Sequence, residues 1–113
     1  MSDQIDKVFV CSARELRPGD AQRVTLPDHP PVAVFNVGGK YFATDDTCTH
    51  GEAQLSDGVL EGCVIECPFH GGTFDVCTGK ALTFPVTQSL RTYPVQIEDE
   101  DVYVMVECQE GPG

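Results

Sequence analysis

Two short cysteine–histidine segments constrain the fold of this chain more than any other feature. They are Cys48-Thr-His50 and Cys67-Pro-Phe-His70, they are separated by sixteen residues, and a glycine follows each histidine. One thiol and one imidazole can project from a tight turn in each segment, because the glycine lets the backbone curl back. Two such loops facing each other can close on one inorganic centre, so the fold has to bring the two segments together.

The remainder of the chain predicts an all-β protein. Short runs of β-branched and aromatic residues alternate with Gly, Pro, Asp and Asn, and helical periodicity is almost lacking. We expect a tight hairpin at Gly38-Gly39, a helical turn over 12–15 with a capping-box pattern, and an acidic turn over 98–101. Such a series of short strands is typical of an antiparallel sandwich or small barrel. The predicted strands cover residues 7–11, 21–26, 32–37, 40–44, 73–76, 92–97 and 102–106.

Chain length and net charge limit the number of domains and the kinds of partner that this protein can have. A chain of 113 residues suits one domain, and its 18 acidic against 7 basic residues give a net charge of −11. Such a field repels phosphate backbones, so nucleic acid is not an expected partner. We expect no membrane association, because the sequence has neither the roughly 20-residue apolar stretch of a spanning helix nor a signal peptide. These features predict a cytoplasmic protein.

The six cysteines favour metal ligation over disulfides, because structural disulfides are rare in a reducing compartment. Cys48 and Cys67 belong to the two segments. The other four are scattered singly, and we expect them to be buried, unreactive thiols. They are Cys11, Cys63, Cys77 and Cys108.

The mixed ligand set has a chemical rationale. Two thiolates satisfy a ferric ion, while two neutral imidazoles on a second iron remove negative charge and make reduction easier than in an all-cysteine cluster. At this point the sequence resembles the Rieske [2Fe–2S] family, whose ligand motif is Cys-x-His, a spacer, then Cys-x-x-His. The resemblance is closest to the ferredoxin components of bacterial aromatic-ring-hydroxylating dioxygenases. It extends through Leu55-Ser-Asp-Gly58, Glu66, Phe74-Asp75, Thr78-Gly79 and Pro85.

The resemblance implies a fold, a cofactor and partners. One [2Fe–2S] cluster is expected, with Cys48 and Cys67 on one iron and His50 and His70 on the other. A single Rieske domain over 1–113 is expected, as a sandwich or barrel base with a cluster-binding subdomain over about 47–74, and Pro85 belongs to a third loop that shields the cluster. By resemblance the chain is not an enzyme. It carries electrons from an NAD(P)H-dependent flavoprotein ferredoxin reductase to a terminal oxygenase of aromatic hydrocarbon catabolism.

Departures from respiratory Rieske proteins predict a low potential. Those proteins carry an extra cysteine in each loop, where this chain has Ala53 or its neighbour and Phe69, and they place hydroxyl donors where this chain has Gly72 and Phe74. Donors toward the cluster sulfurs stabilise the added electron. We therefore expect a potential at the low end of the roughly −150 to +300 mV Rieske range.

Two other functions are compatible with the motif. Two Cys and two His also form structural zinc sites. In zinc ribbons and fingers, however, Cys is usually paired with Cys and His with His, whereas each loop here contains one of each. A small Rieske-like subunit of a nitrite reductase or another multi-subunit oxidoreductase would carry the same ligands. A terminal oxygenase is excluded, because its second iron needs two histidines and a carboxylate, and only His29, in a predicted solvated loop, remains.

Docking on partners is expected near the histidine ligands. Phe69, with Pro68 and the glycines Gly51 and Gly71, is a candidate apolar tip, and simple packing of Phe69 over the cluster is the alternative. The acidic residues that we expect to orient a partner are Glu52, Asp45 and Asp46.

Overall fold

The structure, a computed structural model, describes residues 4–27, 29–49, 53–69, 71–83 and 88–108. Its strands pair antiparallel throughout these ranges, and the only helical segments in them are the short 3₁₀ turns Ala13–Glu15 and Leu55–Asp57. No helix in the described part of the chain is long and apolar enough to cross a membrane. The prediction of an all-β fold is confirmed. The strands are β1 Gln4–Ser12, β2 Ala21–Leu26, β3 His29–Val37, β4 Lys40–Asp45, β5 Val59–Glu61, β6 Val64–Glu66, β7 Thr73–Asp75, β8 Thr92–Tyr93, β9 Val95–Glu98 and β10 Asp101–Cys108.

Three sheets are built from these strands, in the orders β1-β10-β9, β2-β3-β4-β8 and β5-β6-β7. The first two enclose one apolar cluster, here called the base core, and the third sheet and the segments around it contribute to a second, here called the site core. The base core contains Cys11, Leu16, Val24, Val32, Val34, Ala43, Tyr93, Val102, Val104 and Val106. The site core contains Ala33, Phe35, Cys48, Ala53, Leu55, Ile65, Cys67, Phe74, Val76 and Leu90.

Strand β3 joins the two cores. Its residues from Val32 to Asn36 are all buried, and successive side chains of a strand point to opposite faces. Val32 and Val34 therefore enter the base core, while Ala33 and Phe35 enter the site core. An unbroken apolar run in the sequence thus marks the strand that is covered on both faces.

The predicted turns are confirmed. Gly38 and Gly39 have φ of 60° and 99°, as a two-residue hairpin between β3 and β4 requires. In the acidic turn between β9 and β10, Asp99 and Glu100 take the same left-handed conformation, with φ of 50° and 71°. At the turn after β1, the Ser12 N–H donates to the Glu15 carboxylate at 3.1 Å, which is one half of the predicted capping box.

The predicted single strand over 92–97 is wrong. The chain divides at Pro94, so that β8 pairs with β4 in the second sheet while β9 pairs with β10 in the first. Proline has no N–H to donate to a ladder, and only its carbonyl is used, by the Met105 N–H at 2.9 Å.

Candidate metal centre

The first ligand segment lies in a hairpin-like loop after β4. The Cys48 N–H donates to the Ala53 carbonyl at 2.9 Å, and the Leu55 N–H donates to the Asp46 carbonyl at 2.7 Å. Thr47 and Gln54 form an isolated antiparallel bridge between these two hydrogen bonds. These hydrogen bonds hold Cys48 at the paired base of the loop, next to the Thr47–Gln54 bridge.

The second ligand segment closes the β6–β7 hairpin. The Cys67 N–H donates to the Gly72 carbonyl at 2.8 Å, and the Cys67 carbonyl accepts from the Gly71 N–H at 3.1 Å. Gly71 has a φ of 75°, which glycine adopts without strain. Beyond the cysteine the loop comes to the surface, since Pro68, Phe69 and Gly71 are exposed and Phe69 is 70% exposed.

Both cysteines lie in the site core, and each is 2% exposed. The structure thus places in one apolar core the two thiols that the sequence predicts as ligands of one iron. Two thiolates in an apolar environment would be strongly disfavoured without a compensating cation. A buried, ferric-iron cluster supplies that compensation, so this donor pair fits the predicted [2Fe–2S] group.

The other two predicted ligands, His50 and His70, lie outside the described residues, as do Gly51, Glu52 and Pro85. The segments that flank the predicted third loop contact both ligand loops. The Thr49 hydroxyl donates to the Gln88 carbonyl at 2.8 Å, and the Thr73 N–H donates to the Thr83 hydroxyl at 3.1 Å. A third segment is therefore attached to the rim of the two loops.

Asp46 has a structural role that the sequence did not reveal. Its side chain is fully buried, its Oδ2 lies 2.9 Å from Arg23 Nε, and its Oδ1 accepts from the Ser56 N–H at 2.8 Å. Asp45 is half-buried and accepts a hydrogen bond from the Tyr93 hydroxyl. The prediction that Asp46 orients partners is wrong, because a buried, paired carboxylate presents little field to solvent.

Two acidic side chains lie next to the second ligand loop: Asp57, shortly before β5, and Glu66, at the end of β6. A groove of about 550 Å³ between the other sheets is remote from the cysteines, whereas one of about 310 Å³ borders Cys67 itself. Exposed Asp57 and Glu66 line this smaller groove together with Val59, which is 60% exposed, and Pro68. An apolar surface with an acidic border thus lies directly over the second ligand loop.

Gly58, the residue before β5, lies very close to the backbone at the end of β6. A Cβ at this position would overlap the backbone carbonyl of Glu66, the residue before Cys67. The backbone of Gly58, with φ of −84° and ψ of −171°, is one that any residue can adopt. Close approach, rather than conformation, therefore explains the glycine in the Leu55-Ser-Asp-Gly58 segment.

Two expectations for residues outside the ligand set need correction. Cys11 is buried as predicted, but Cys63 and Cys77 are only half-buried and their sulfurs lie 2.9 Å apart. His29 is half-buried at the start of β3, with its ring edge against Tyr93 at a centroid distance of 5.6 Å, rather than in a solvated loop. The Cys108 side chain lies outside the described part.

Comparison with known proteins matches residues 6–94 to the Rieske [2Fe-2S] domain model. The chain belongs to the Rieske [2Fe–2S] family. The Rieske chain is 50% identical to the ferredoxin CarAc of Metapseudomonas resinovorans over 95 residues, which cover 84% of this chain and 89% of the relative. It is 55% identical over 86 residues to the ferredoxin component of the naphthalene 1,2-dioxygenase system of Pseudomonas putida, covering 76% of this chain and 82% of the relative.

The fold of this Rieske protein also matches a solved structure, a complex of reduced oxygenase and oxidized ferredoxin in carbazole 1,9a-dioxygenase. The TM-score is 0.85, with 48% sequence identity, over 87% of this chain and 91% of the matched chain. These matches confirm the prediction of a ferredoxin-type electron carrier with one Rieske [2Fe–2S] cluster, and they confirm that it is an electron-transfer component rather than an enzyme. The zinc module is thereby excluded.

Proposed function

We propose that this chain is the ferredoxin of an aromatic-ring-hydroxylating dioxygenase system, and that it passes single electrons from an NAD(P)H-dependent flavoprotein reductase to a terminal Rieske-type oxygenase. The observation that carries the proposal is the pair of buried thiols, Cys48 and Cys67, in two loops of one apolar core. The relatives named above, a dioxygenase-system ferredoxin component and a ferredoxin in complex with an oxygenase, favour this assignment over the nitrite reductase subunit.

The proposed ligands are Cys48 and Cys67 for one iron and His50 and His70 for the other. When bound, the cluster takes up and gives back one electron at its histidine-ligated iron. The site core excludes water from the two sulfurs, and the backbone hydrogen bonds to Ala53 and Gly72 hold both cysteines in place. These contacts support a fixed position for both sulfurs.

The potential is proposed to be low. Phe74 is fully buried in the site core and brings no hydroxyl to it, and Gly72 has no side chain. The nearby Thr73 hydroxyl is already hydrogen-bonded to that of Thr83, at 2.8 Å. With few side-chain donors toward sulfur, the added electron is less stabilised. A redox titration should give a midpoint in the lower part of the range of about −150 to +300 mV, and a strongly positive midpoint would contradict the argument.

Partners are proposed to dock on the surface over the second loop. Phe69, Val59 and Pro68 are exposed apolar side chains there, and Asp57 and Glu66 border them. Acidic groups around an apolar centre favour a partner with a basic rim, and such contacts give fast, short-lived complexes. The exposure of Phe69 supports the apolar tip rather than simple packing of that side chain over the cluster.

The cluster-binding subdomain over about 47–74 and the cytoplasmic location are part of the proposal. The third sheet and both ligand loops share the site core, which supports treating them as one unit. The Phe74–Ala81 bridge favours a boundary somewhat beyond residue 74. Fractionation of the producing cells, with periplasmic and cytoplasmic marker enzymes measured in parallel, tests the location.

Reconstitution tests the function. Purified anaerobically, the protein should contain iron and acid-labile sulfide at about two of each per chain, with the electron-spin-resonance signal of mixed Cys/His ligation after dithionite reduction. It should then support NAD(P)H-dependent ring hydroxylation by a purified reductase and oxygenase. Cys48→Ser and Cys67→Ser should abolish cluster and turnover, whereas Cys11→Ser, in the base core, should keep both. A cluster-loaded protein that reduces only a nitrite reductase would overturn the dioxygenase assignment.

A further inference from the structure

Cys63 and Cys77 form a second thiol site, separate from the ligand cysteines. Their Sγ atoms lie 2.9 Å apart, with the Cys77 thiol donating to Cys63. Cys63 lies in the turn between β5 and β6, and Cys77 lies in the turn after β7. The Val76 N–H donates to the Cys63 carbonyl at 2.8 Å, and the Cys77 N–H donates to Asp75 Oδ1 at 2.8 Å. The Val76–Cys63 backbone hydrogen bond and the pairing of Val64 with Asp75 therefore hold the two turns together, so the meeting of the thiols does not depend on their side-chain rotamers alone.

The pair lies at the other end of the third sheet from the proposed cluster. Three residues lie between Cys63 and the proposed ligand Cys67, and the four residue steps of extended chain correspond to about 13 Å along β6. Both thiols are half-buried, so small reagents can reach them, whereas Cys11 in the base core is 6% exposed. The site is thus chemically accessible without opening either core.

We propose that Cys63 and Cys77 form a reversible disulfide by exchange with a low-molecular-weight disulfide of the glutathione type. To reach the S–S separation of ~2.05 Å, the two sulfurs have to approach by less than about 1 Å from their present 2.9 Å. Disulfides in reducing compartments are usually transient and redox-responsive, which matches a half-buried pair. This modification is independent of the proposed electron-carrier role.

The exchange runs in two balanced steps. The Cys63 sulfur attacks one sulfur of glutathione disulfide and displaces one glutathione thiolate, forming a mixed disulfide. The Cys77 sulfur then attacks Cys63, and the second glutathione leaves. Two protein thiols are oxidised, one glutathione disulfide is reduced, and the two thiol protons end on the two glutathione molecules.

The local electrostatics assigns the order of these steps. Burial, the hydrogen bond to Cys63 and the carboxylate of Asp75 raise the pKa of the Cys77 thiol to about 12. Cys77 therefore keeps its proton and donates it to Cys63, and the thiolate rather than the thiol is the nucleophile. Cys63 is thus the attacking residue. Once its sulfur is part of the mixed disulfide, its hydrogen bond and charge no longer raise the pKa of Cys77, so Cys77 can lose its proton and act as the resolving thiolate.

A metal ion at the same place fits less well. The Asp75 carboxylate lies with both thiols, so the three side chains offer a candidate ligand set. Zinc with two Zn–S bonds of about 2.3 Å in tetrahedral geometry separates its sulfurs by about 3.8 Å, whereas these sulfurs are 2.9 Å apart. One oxygen of Asp75 is also occupied by the Cys77 N–H. The disulfide is the better match, and zinc uptake is an outcome that the test has to detect.

The test uses the cluster-loaded protein, equilibrated anaerobically with glutathione disulfide and digested with a carboxylate-specific protease. Cleavage after Glu61, Glu66 and Asp75 leaves Cys63, Cys67 and Cys77 on three different peptides. We expect peptide 62–66 linked to peptide 76–98, a mass lower by two hydrogen atoms, and unchanged visible absorption of the cluster. The oxidised protein should also melt roughly 10 °C higher.

Matched variants make the outcome decisive. Cys63→Ser and Cys77→Ser should each abolish the linked peptide, whereas Cys11→Ser should form it as the parent protein does. Wild-type protein that stays reduced, a link through Cys48 or Cys67, or zinc uptake that is lost in both serine variants would each overturn the disulfide. Because the cluster spectrum is followed in the same sample, loss of the electron carrier is distinguished from absence of this modification.

Discussion

The Arg23 guanidinium reaches from β2 to the fully buried carboxylate of Asp46, with 2.9 Å between Nε and Oδ2. The other carboxylate oxygen accepts from the Ser56 N–H, and the Asp46 carbonyl accepts from the Leu55 N–H. One side chain therefore connects a base strand to both arms of the first ligand loop. The position of Cys48, two residues further along, depends on this connection.

Arg23→Leu is expected to lower the free energy of unfolding by about 3 kcal/mol, because it leaves a buried carboxylate without its partner. The Arg23 side chain is 37% exposed, so solvent compensates part of the loss and the effect stays at the low end of that for buried pairs. Urea unfolding of the cluster-loaded protein, followed by circular dichroism, measures it. Adding Asp46→Asn to Arg23→Leu should recover at least about 1 kcal/mol. Strict additivity of the two substitutions would show that the pair contributes nothing.

The sequence predicts those parts of the fold that depend on a short local pattern of residues. Gly38-Gly39 can take the left-handed conformation without strain, and the Val32-to-Val37 run is apolar enough to be covered on both faces, so hairpin and central strand follow directly. The division at Pro94 was not predictable, because its cause is competition between two sheets for the same segment. β5 and β6, at three residues each, are too short to show a period.

In the candidate site, too, some features follow from a local sequence pattern and others depend on which strands become neighbours. Motif spacing alone predicts Cys48 and Cys67 as ligands, and the structure places both of them in one core. The pairing of Asp46 with Arg23 depends on which strands become neighbours, and nothing in Asp45-Asp46-Thr47 distinguishes the buried aspartate from the half-buried one. Cys63 and Cys77 looked isolated for the same reason, because only the β5-β6-β7 sheet brings them together.

Gly58→Ala is expected to reduce iron content and to destabilise the protein by about 1–3 kcal/mol. The added methyl group would overlap the Glu66 carbonyl and displace the chain next to Cys67. Gly62→Asn is the matched control on the same sheet, because that position has open space around it and a φ of 60°, which asparagine tolerates. Iron per chain and the urea midpoint of both variants measure the effect. Equal behaviour of the two variants would contradict the close-approach argument.

Alkaline unfolding should depend on Tyr93. Burial, together with the hydrogen bond that its hydroxyl donates to Asp45, raises its pKa from about 10 to about 12. The folded state therefore holds this proton more tightly than the unfolded state. The resulting stability is complete below pH ~10 and is lost as the pH rises through ~12, by about 3 kcal/mol in all. Tyr93→Phe should be less stable at neutral pH and should show a smaller decline between these values. Parallel pH profiles for the two proteins would rule out this contribution.

Phe69→Ala should slow electron transfer to the oxygenase about 10-fold without changing the redox potential, because an exposed aromatic anchor at a docking surface contributes to binding and not to the cluster. Phe9→Ala is the control. Phe9 is a 55% exposed aromatic side chain on β1 that contacts Tyr103 edge-on, in the first sheet. Stopped-flow mixing of the reduced ferredoxin with oxidised oxygenase gives both rates. If Phe9→Ala slowed transfer as much as Phe69→Ala, docking would not be confined to the proposed surface.

The location of negative charge, and not only its amount, should determine the salt dependence of transfer. Asp57→Asn/Glu66→Gln removes two charges beside the proposed docking surface, while Asp99→Asn/Glu100→Gln removes two exposed charges at the β9–β10 turn of the first sheet. Both variants go from a net charge of −11 to −9, two acidic groups having been neutralised in each case. At low salt the first variant should transfer electrons several-fold more slowly, with a shallower decline as ionic strength rises, because steering acts within a Debye length of about 10 Å at 0.1 M. The variant at the β9–β10 turn should show nearly the same transfer rate and salt dependence as the parent protein. Identical slopes in all three would mean that the acidic field serves solubility alone, and that partners find this surface without electrostatic guidance.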